Sequence, residues 1–569
     1  MDHVHISGAA NVGVLVSGKA ASVTIRRSLI EGTVAGTGTW AEFAGGVEAL
    51  DGGRFDIEQS ALVANRGPEL TLDSAGTTST VADSLLDGTG SVAPNGVGVL
   101  ISTGTELELT DVVLAAHADV AMVVQGKGAS GTLTRCIVAG APGAASNAIG
   151  VAVTYGGQAL VLRSALAGNR PYGLVVQDET SRAEVRESWI AETLPGTKTS
   201  AGLYTAGELT VLDTVIASNV GAGLQAATAG AKANVLRTVI ADTYAPASGV
   251  IHGVGVLCSL GAEVELAESA VLRSGTYGVV AAAEGSRVSM RDALIEGMAS
   301  AAAPKDSYEF GLGATAGGRF DVSRTAIRQV RSGGAQVEEP STHVTLTACL
   351  VEDIVAPDED AYPGSGLDVL NGASMDVTGC VLRRLTGAAL VARGEGTALS
   401  LTSSLVEDGR TTEAGALGIG VLVYDQATLV AHGSAVTAAH IAAFAVQGGT
   451  ATIDECFVSG TLPGVVETAD GKLHVDVADG VTVSEAGVAE LSRLRIEGCG
   501  RAGVMYFGGS GTVRETQSLD NAFGLVLQGS PRPTLGSGNG FWSNAAEDIS
   551  SDGVLPVDDV SLPTPPWNP

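Results

Sequence analysis

The sequence predicts an all-β solenoid, a parallel β-helix of about 20 coils in which short coils alternate with coils carrying a long loop. Three observations lead there: a unit of roughly 24 residues that recurs along the chain, period-2 apolar alternation inside each unit, and a composition rich in glycine (78 residues) but poor in aromatics (4%). Short strands and tight turns suit such a composition; thick helices do not.

The unit reads GVLVSGKAASVTIRRSLIEG at Gly13 to Gly32, GVAVTYGGQALVLRSALAGN at Gly150 to Asn169 and YGVVAAAEGSRVSMRDALIEG at Tyr277 to Gly297. Its order is G-V-x-V, a glycine or polar turn, x-V-x-L, two polar residues, then a small residue and two apolar ones. Alternation with β-branched residues predicts three strands per unit, and no window has the three-and-four spacing of an amphipathic helix. Helix-free units this short can stack only by pairing each strand in parallel with its counterpart in the next unit.

The small residue serves as a ruler: Ser28, Ser60, Ser84, Val112, Cys136, Ser164, Ser188, Thr214, Thr238, Ser269, Ala293, Thr325, Cys349, Cys380, Ser404, Ser434 and Cys456. Its steps alternate strictly between long (26–32) and short (22–24). A leucine-rich repeat would need L-x-x-L-x-L-x-x-N with a helical return, and a propeller would need four unlike strands per blade; neither pattern is present. Coil lengths this variable also exclude left-handed hexapeptide helices.

Four of the six cysteines stand at the ruler, where a small buried residue is required and a free thiol serves as one. Cys349 and Cys380 fall on successive coils, within Cα reach of a disulfide, although stacked thiols satisfy the position equally. No C-x-x-C spacing points to zinc or redox chemistry. The residue before the ruler is often charged, and opposite signs adjoin, as at Asp111 with Arg135, Arg163 with Glu187 and Asp292 with Arg324. A solvated face with paired signs explains this row better than a ligand track does.

The long loops follow every other ruler position and share one corner of the coil. Three consecutive loops are chemically distinct: Tyr244 and His252, then Lys305, Asp306, Tyr308 and Glu309, then Asp358, Glu359, Asp360 and Tyr362. Rings stack on sugar faces and carboxylates hold hard cations, so Tyr244, His252, Lys305, Tyr308, Asp358, Glu359, Asp360 and Tyr362 are the candidate binding residues, with Asp358 and Asp360 the candidates for calcium. Catalytic residues are not assigned. Nucleophile elbows, P-loops and zincin motifs are absent.

The recurrent G-V-x-V…V-x-L…S-x-V units, together with the Asn-rich segment GNGFWSNAAEDI at Gly538 to Ile549, resemble the right-handed parallel β-helix proteins of the pectin-lyase-like superfamily. The resemblance implies a secreted or surface protein, and a polysaccharide as the partner. Relatives that cleave acidic glycans gather several acids on one strand face with a basic residue nearby, and no single strand here carries D-D or D-x-x-D. The expectation is therefore a non-catalytic scaffold or binding surface, the alternative being a polysaccharide lyase, hydrolase or epimerase.

A net charge of −30 excludes a nucleic-acid surface, and no run of 18 apolar residues predicts a membrane span. No secretion signal is visible, and because Met1 enters in mid-pattern, the chain is expected to begin inside the solenoid. One domain is expected over 1–549, with a Pro-rich tail over 550–569.

Overall fold

The structure, a computed structural model, describes residues 1–35, 44–88, 96–141, 148–196, 199–245, 253–297, 309–356, 364–411, 417–467 and 473–551. It has the expected right-handed parallel β-helix fold with about 20 coils, and there is no helix among the described residues. Its contacts form two compact units, Met1–Gly275 and Thr276–Pro569, built from the same coil.

In the first unit one coil runs through Ile149–Thr154, Gln158–Leu162 and Ala165–Ala167, and the next through Tyr172–Val176, Arg182–Arg186 and Trp189–Ala191. We call these positions sheets 1, 2 and 3. Pairing is parallel and in register, with Val151 beside Leu174, Gln158 beside Arg182 and Ala165 beside Trp189. The second unit repeats the scheme, Gln336 pairing with Asp368, His343 with Ser374 and Leu350 with Val381.

Alternation sends every second side chain inward, so Val151, Val153, Val161 and Leu166 are fully buried and stack on Leu174, Val176, Val185 and Ile190. Each such side chain contributes on the order of 2 kcal/mol by leaving water. The glycine of G-V-x-V stands where sheets 1 and 3 converge. A Cβ on Gly173 would lie 2.7 Å from the Gly202 carbonyl oxygen and 2.9 Å from Ile190.

The turn from sheet 2 to sheet 3 is one left-handed residue, with φ of 51° at Arg163, 47° at Glu187 and 49° at Asp213. That conformation points the side chain outward and accounts for the charged row before the ruler. The ruler residue makes the turn cohesive: the Ser164 hydroxyl donates to the Leu162 carbonyl (2.9 Å) and accepts from the Cys136 N–H (2.9 Å). Ser188, one coil on, accepts from the Ser164 N–H at 3.1 Å. Cys349 and Cys380 keep the same geometry, the Cys349 N–H meeting the Cys380 sulfur at 3.3 Å. None of the six cysteines is in a disulfide, and all are buried.

At the corner between sheets 3 and 1 the first unit buries polar rungs. Asn219 accepts from the Thr193 N–H at 3.2 Å and from its hydroxyl at 2.6 Å. In the second unit the same rung holds the buried Val330, Ile354 and Leu385. The Asn-rich terminal segment closes with another polar rung, Asn544 accepting from the Asn521 N–H at 3.1 Å. The irregular loop after Gly460 opens one antiparallel pairing, Gly464–Glu467 against Leu473–Ser484.

Candidate functional site

Of the residues expected to bind, the structure describes Tyr244. It lies in the first unit, 44% exposed, its N–H held by the Asn219 carbonyl at 2.9 Å. His252, Lys305, Tyr308, Asp358, Glu359, Asp360 and Tyr362, and with them the calcium candidates, lie outside the described residues. Among the described residues no group of three or more His, Cys, Asp or Glu side chains could hold a metal ion. No described helix is long and apolar enough to cross a membrane.

The richest chemistry among the described residues lies on the outer face of sheet 1 in the second unit. Its strands Tyr277–Ala282, Phe310–Thr315, Gly333–Glu338, Ser365–Leu370 and Ala388–Arg393 align side chains into columns. One column holds Tyr277 and Phe310, the next Gln336 and Asp368, and a third Glu338 and Arg393 with Tyr424. Tyr277 and Phe310 stack, centroids 5.7 Å apart and planes 18° from parallel. Each ring lies over a glycine one coil on. A Cβ at Gly313 would meet the Tyr277 ring at 2.7 Å, and one at Gly333 would meet Phe310 at 2.5 Å.

The rings lead into a hydrogen-bonded chain. The Tyr277 hydroxyl donates to Gln336 Oε1 (2.8 Å), and Gln336 Nε2 donates to Glu338 Oε1 (2.6 Å). Burial pushes the Tyr277 phenol up to about 12, so it acts as a donor and not as a base. Burial, reinforced by the neighbouring Glu339 charge, raises the Glu338 carboxyl. Beside them, Arg393 caps the Tyr424 ring at 5.5 Å and donates to Asp425 at 3.2 Å. Asp368 is 2% exposed.

Two further groups of acids border the corner between sheets 3 and 1. Glu309 immediately precedes Phe310 and is fully buried, neither carboxyl oxygen having a hydrogen-bond partner among the described residues. Burial moves it up to about 7, against the pull of Arg331. Glu352 and Asp353 instead meet arginines: Arg383 reaches Glu352 at 2.8 Å and Arg384 reaches Asp353 at 2.8 Å. The Arg384 guanidinium holds the Asp353 carboxyl below its ordinary range.

The arrangement offers part of what a saccharide requires: one part-exposed ring, Tyr277, lying over the fully buried Phe310, and donors and acceptors fixed by one another. Sequence reasoning passed over these residues because an acid or glutamine at the x of G-V-x-V reads as a solvent-facing strand position. Their signal was contextual: SGLDVL and GGAQVE put polar groups where nearby coils carry Val280, Val391 and Leu422.

No family model matches the chain, and no curated protein does. Solved structures similar to it include the pectate lyase Pel9A, at 13% identity over 52% of this chain and 70% of that one, with a TM-score of 0.28. The PL6 family alginate lyase AlyGC is similar at 9% identity over 96% of both chains, with a TM-score of 0.27. A third is the catalytic unit of a GH87 α-1,3-glucanase from Streptomyces thermodiastaticus, at 12% identity over 70% of this chain and 65% of that one, TM-score 0.24. The parallel sheets of each unit and their coil order define the class: a right-handed parallel β-helix.

Proposed function

We propose that this chain is a non-catalytic, extracellular or cell-surface β-helix protein that binds a glycan on the outer face of sheet 1 in its second unit. The observation that carries the reading is the Tyr277–Gln336–Glu338 chain beside the stacked Phe310 ring. The Tyr277 ring, part-exposed over the fully buried Phe310, packs on the C–H face of a sugar, while the amide and carboxyl meet hydroxyls, and neither needs a metal or a nucleophile. The loop residues Lys305, Tyr308, Asp358, Glu359, Asp360 and Tyr362 extend the same proposal, with calcium on Asp358 and Asp360 as its metal-dependent form.

A glycan array probed with and without calcium tests it. Tyr277→Ala should weaken binding to any retained glycan at least about tenfold, with the β circular dichroism spectrum unchanged. Binding unaltered in that variant removes the face from consideration. Asp358→Asn with Asp360→Asn should abolish whatever part of the binding depends on calcium.

Glu309 favours a second reading, a lyase, hydrolase or epimerase on polysaccharides. A carboxyl held near neutrality suits a general acid. Incubation with uronate-containing polymers should then release new chain ends or, for an epimerase, invert the uronate C5 without cleavage, and Glu309→Gln should stop it; absence of both changes across the polymers that bind would eliminate the enzyme.

A further inference from the structure

The outer face of sheet 3 in the first unit is unlike the other sheet faces among the described residues. Across six consecutive coils its first outward position is Val113, Ile137, Ala165, Trp189, Val215 and Val239, and its second is alanine throughout, from Ala115 to Ala241. Trp189 is 57% exposed, Ile137 48% and Val215 38%. In the second unit the equivalent second positions carry Glu296, Arg328, Glu352, Arg383 and Glu407, so the fold itself does not call for an apolar face. A contiguous apolar strip with a charged rim is the mark of a protein contact.

The rim identifies the partner. The left-handed residues beside the six coils are Asp111, Arg135, Arg163, Glu187, Asp213 and Arg237, and they pair within the chain as 111 with 135, 163 with 187 and 213 with 237. Read upward the signs run − + + − − +; read downward they run + − − + + −. Reversal changes every sign. A second copy laid face to face, its coils stacked in the opposite direction, therefore sets each charge opposite its complement: Asp111 to Arg237, Arg135 to Asp213, and Arg163 to Glu187.

The same operation pairs the apolar positions. Its two-fold axis runs along the strands, midway between the coils of Ala165 and Trp189. Trp189 then lies on Ala165 of the second copy, Ile137 on Val215 and Val113 on Val239, the largest side chain meeting one of the smallest. The alanine column meets itself, which permits close approach. A shift by one coil sets Arg135 against Arg237 and Glu187 against itself, so the six rim charges favour this register.

We infer that sheet 3 of the first unit is an isologous dimer interface, with a second copy of this chain as its occupant. The strip is roughly 24 Å long and 13 Å wide, about 300 Å² per copy, which is smaller than a stable specific interface and makes the dimer a weak, concentration-dependent one.

Sedimentation velocity on the full chain, from about 1 to about 100 μM, tests the inference. The wild type should pass from a 56.8 kDa monomer to a species of twice that mass. Arg135→Glu and Asp213→Arg face each other only across the interface, so each variant alone should stay monomeric while their equimolar mixture forms the dimer. Trp189→Ala should weaken association at least about tenfold. A wild type that stays monomeric, a charge variant that still dimerises alone, or a mixture that fails to recover the dimer would each overturn it. Saturable quenching of Trp189 by a polysaccharide in a monomeric wild type would assign the strip to a glycan and overturn it as well.

Discussion

Three buried ionisable side chains pull the pH dependence of folding in opposite directions. Burial raises Glu309 to about 7 and Glu69 to about 8, Glu69 despite the hydrogen bonds it receives from Asn65, and lowers His117 to about 4. For the two carboxyls the folded value lies above the unfolded one, so the stability they permit is complete below about 4.5 and is lost as pH rises through 7 and then 8. For His117 the folded value lies below the unfolded one. Its contribution is complete above about 6.5 and is lost as pH falls through 4. Because two carboxyls oppose one imidazole, the stability these three groups contribute should fall across the interval from about pH 4.5 to 8. Glu309→Gln should flatten the alkaline limb and raise stability at pH 8 by about 2 kcal/mol, measured by urea unfolding at several pH values. Parallel curves for the variant and the wild type would mean that the carboxyl is solvated. In the sequence Glu309 reads like any other acid of its segment, because burial at that place depends on the neighbouring coils and not on any local pattern.

At the level of the strand and its turn, glycine does two jobs that the same letter conceals. Gly278 belongs to the repeated G-V-x-V, and a Cβ there would sit 2.6 Å from the Gly311 carbonyl oxygen and 2.8 Å from Ile295. The obstacle includes backbone, which cannot move without breaking the ladder. Gly313 lies on the outer face, where the only atoms under 3 Å from a new Cβ belong to the Tyr277 ring. Gly278→Ala should thus cost about 3 kcal/mol or more, seen as a lower thermal midpoint. Gly313→Ala should leave the midpoint within a few degrees yet displace Tyr277 and weaken glycan binding in parallel with Tyr277→Ala. Equal loss of stability in both variants would contradict this division. The ladder was legible in the sequence because coil stacking repeats every demand: Ser164, Ser188 and Cys349 stand in one place because each turn needs a small side chain that hydrogen-bonds along the stack. Tyr277, Gln336 and Asp368 were not legible as a group, since columns across coils join residues about 30 apart and no period marks the coils that depart from the rule.

For the molecule as a whole, the balance of charge decides how salt acts. There are 62 acidic residues against 32 basic ones, and many arginines are already engaged in exposed pairs such as Asp111–Arg135 and Asp292–Arg324. Their partners are about half exposed, and surface pairs of this kind add little to folding. The remaining excess of like charge opposes compaction at all distances within a Debye length, which shrinks from ~30 Å at 0.01 M to ~8 Å at 0.15 M. Screening therefore weakens a large repulsion and a small attraction together, and the repulsion dominates. The thermal midpoint should rise by several degrees as sodium chloride goes from about 0.01 M to about 0.3 M and level off beyond. The rise should be the same in Arg324→Gln, which removes one pair from the row without altering the excess materially. A midpoint that falls with salt would show that the ion-paired rows, and not the buried columns of valine and leucine, hold successive coils together.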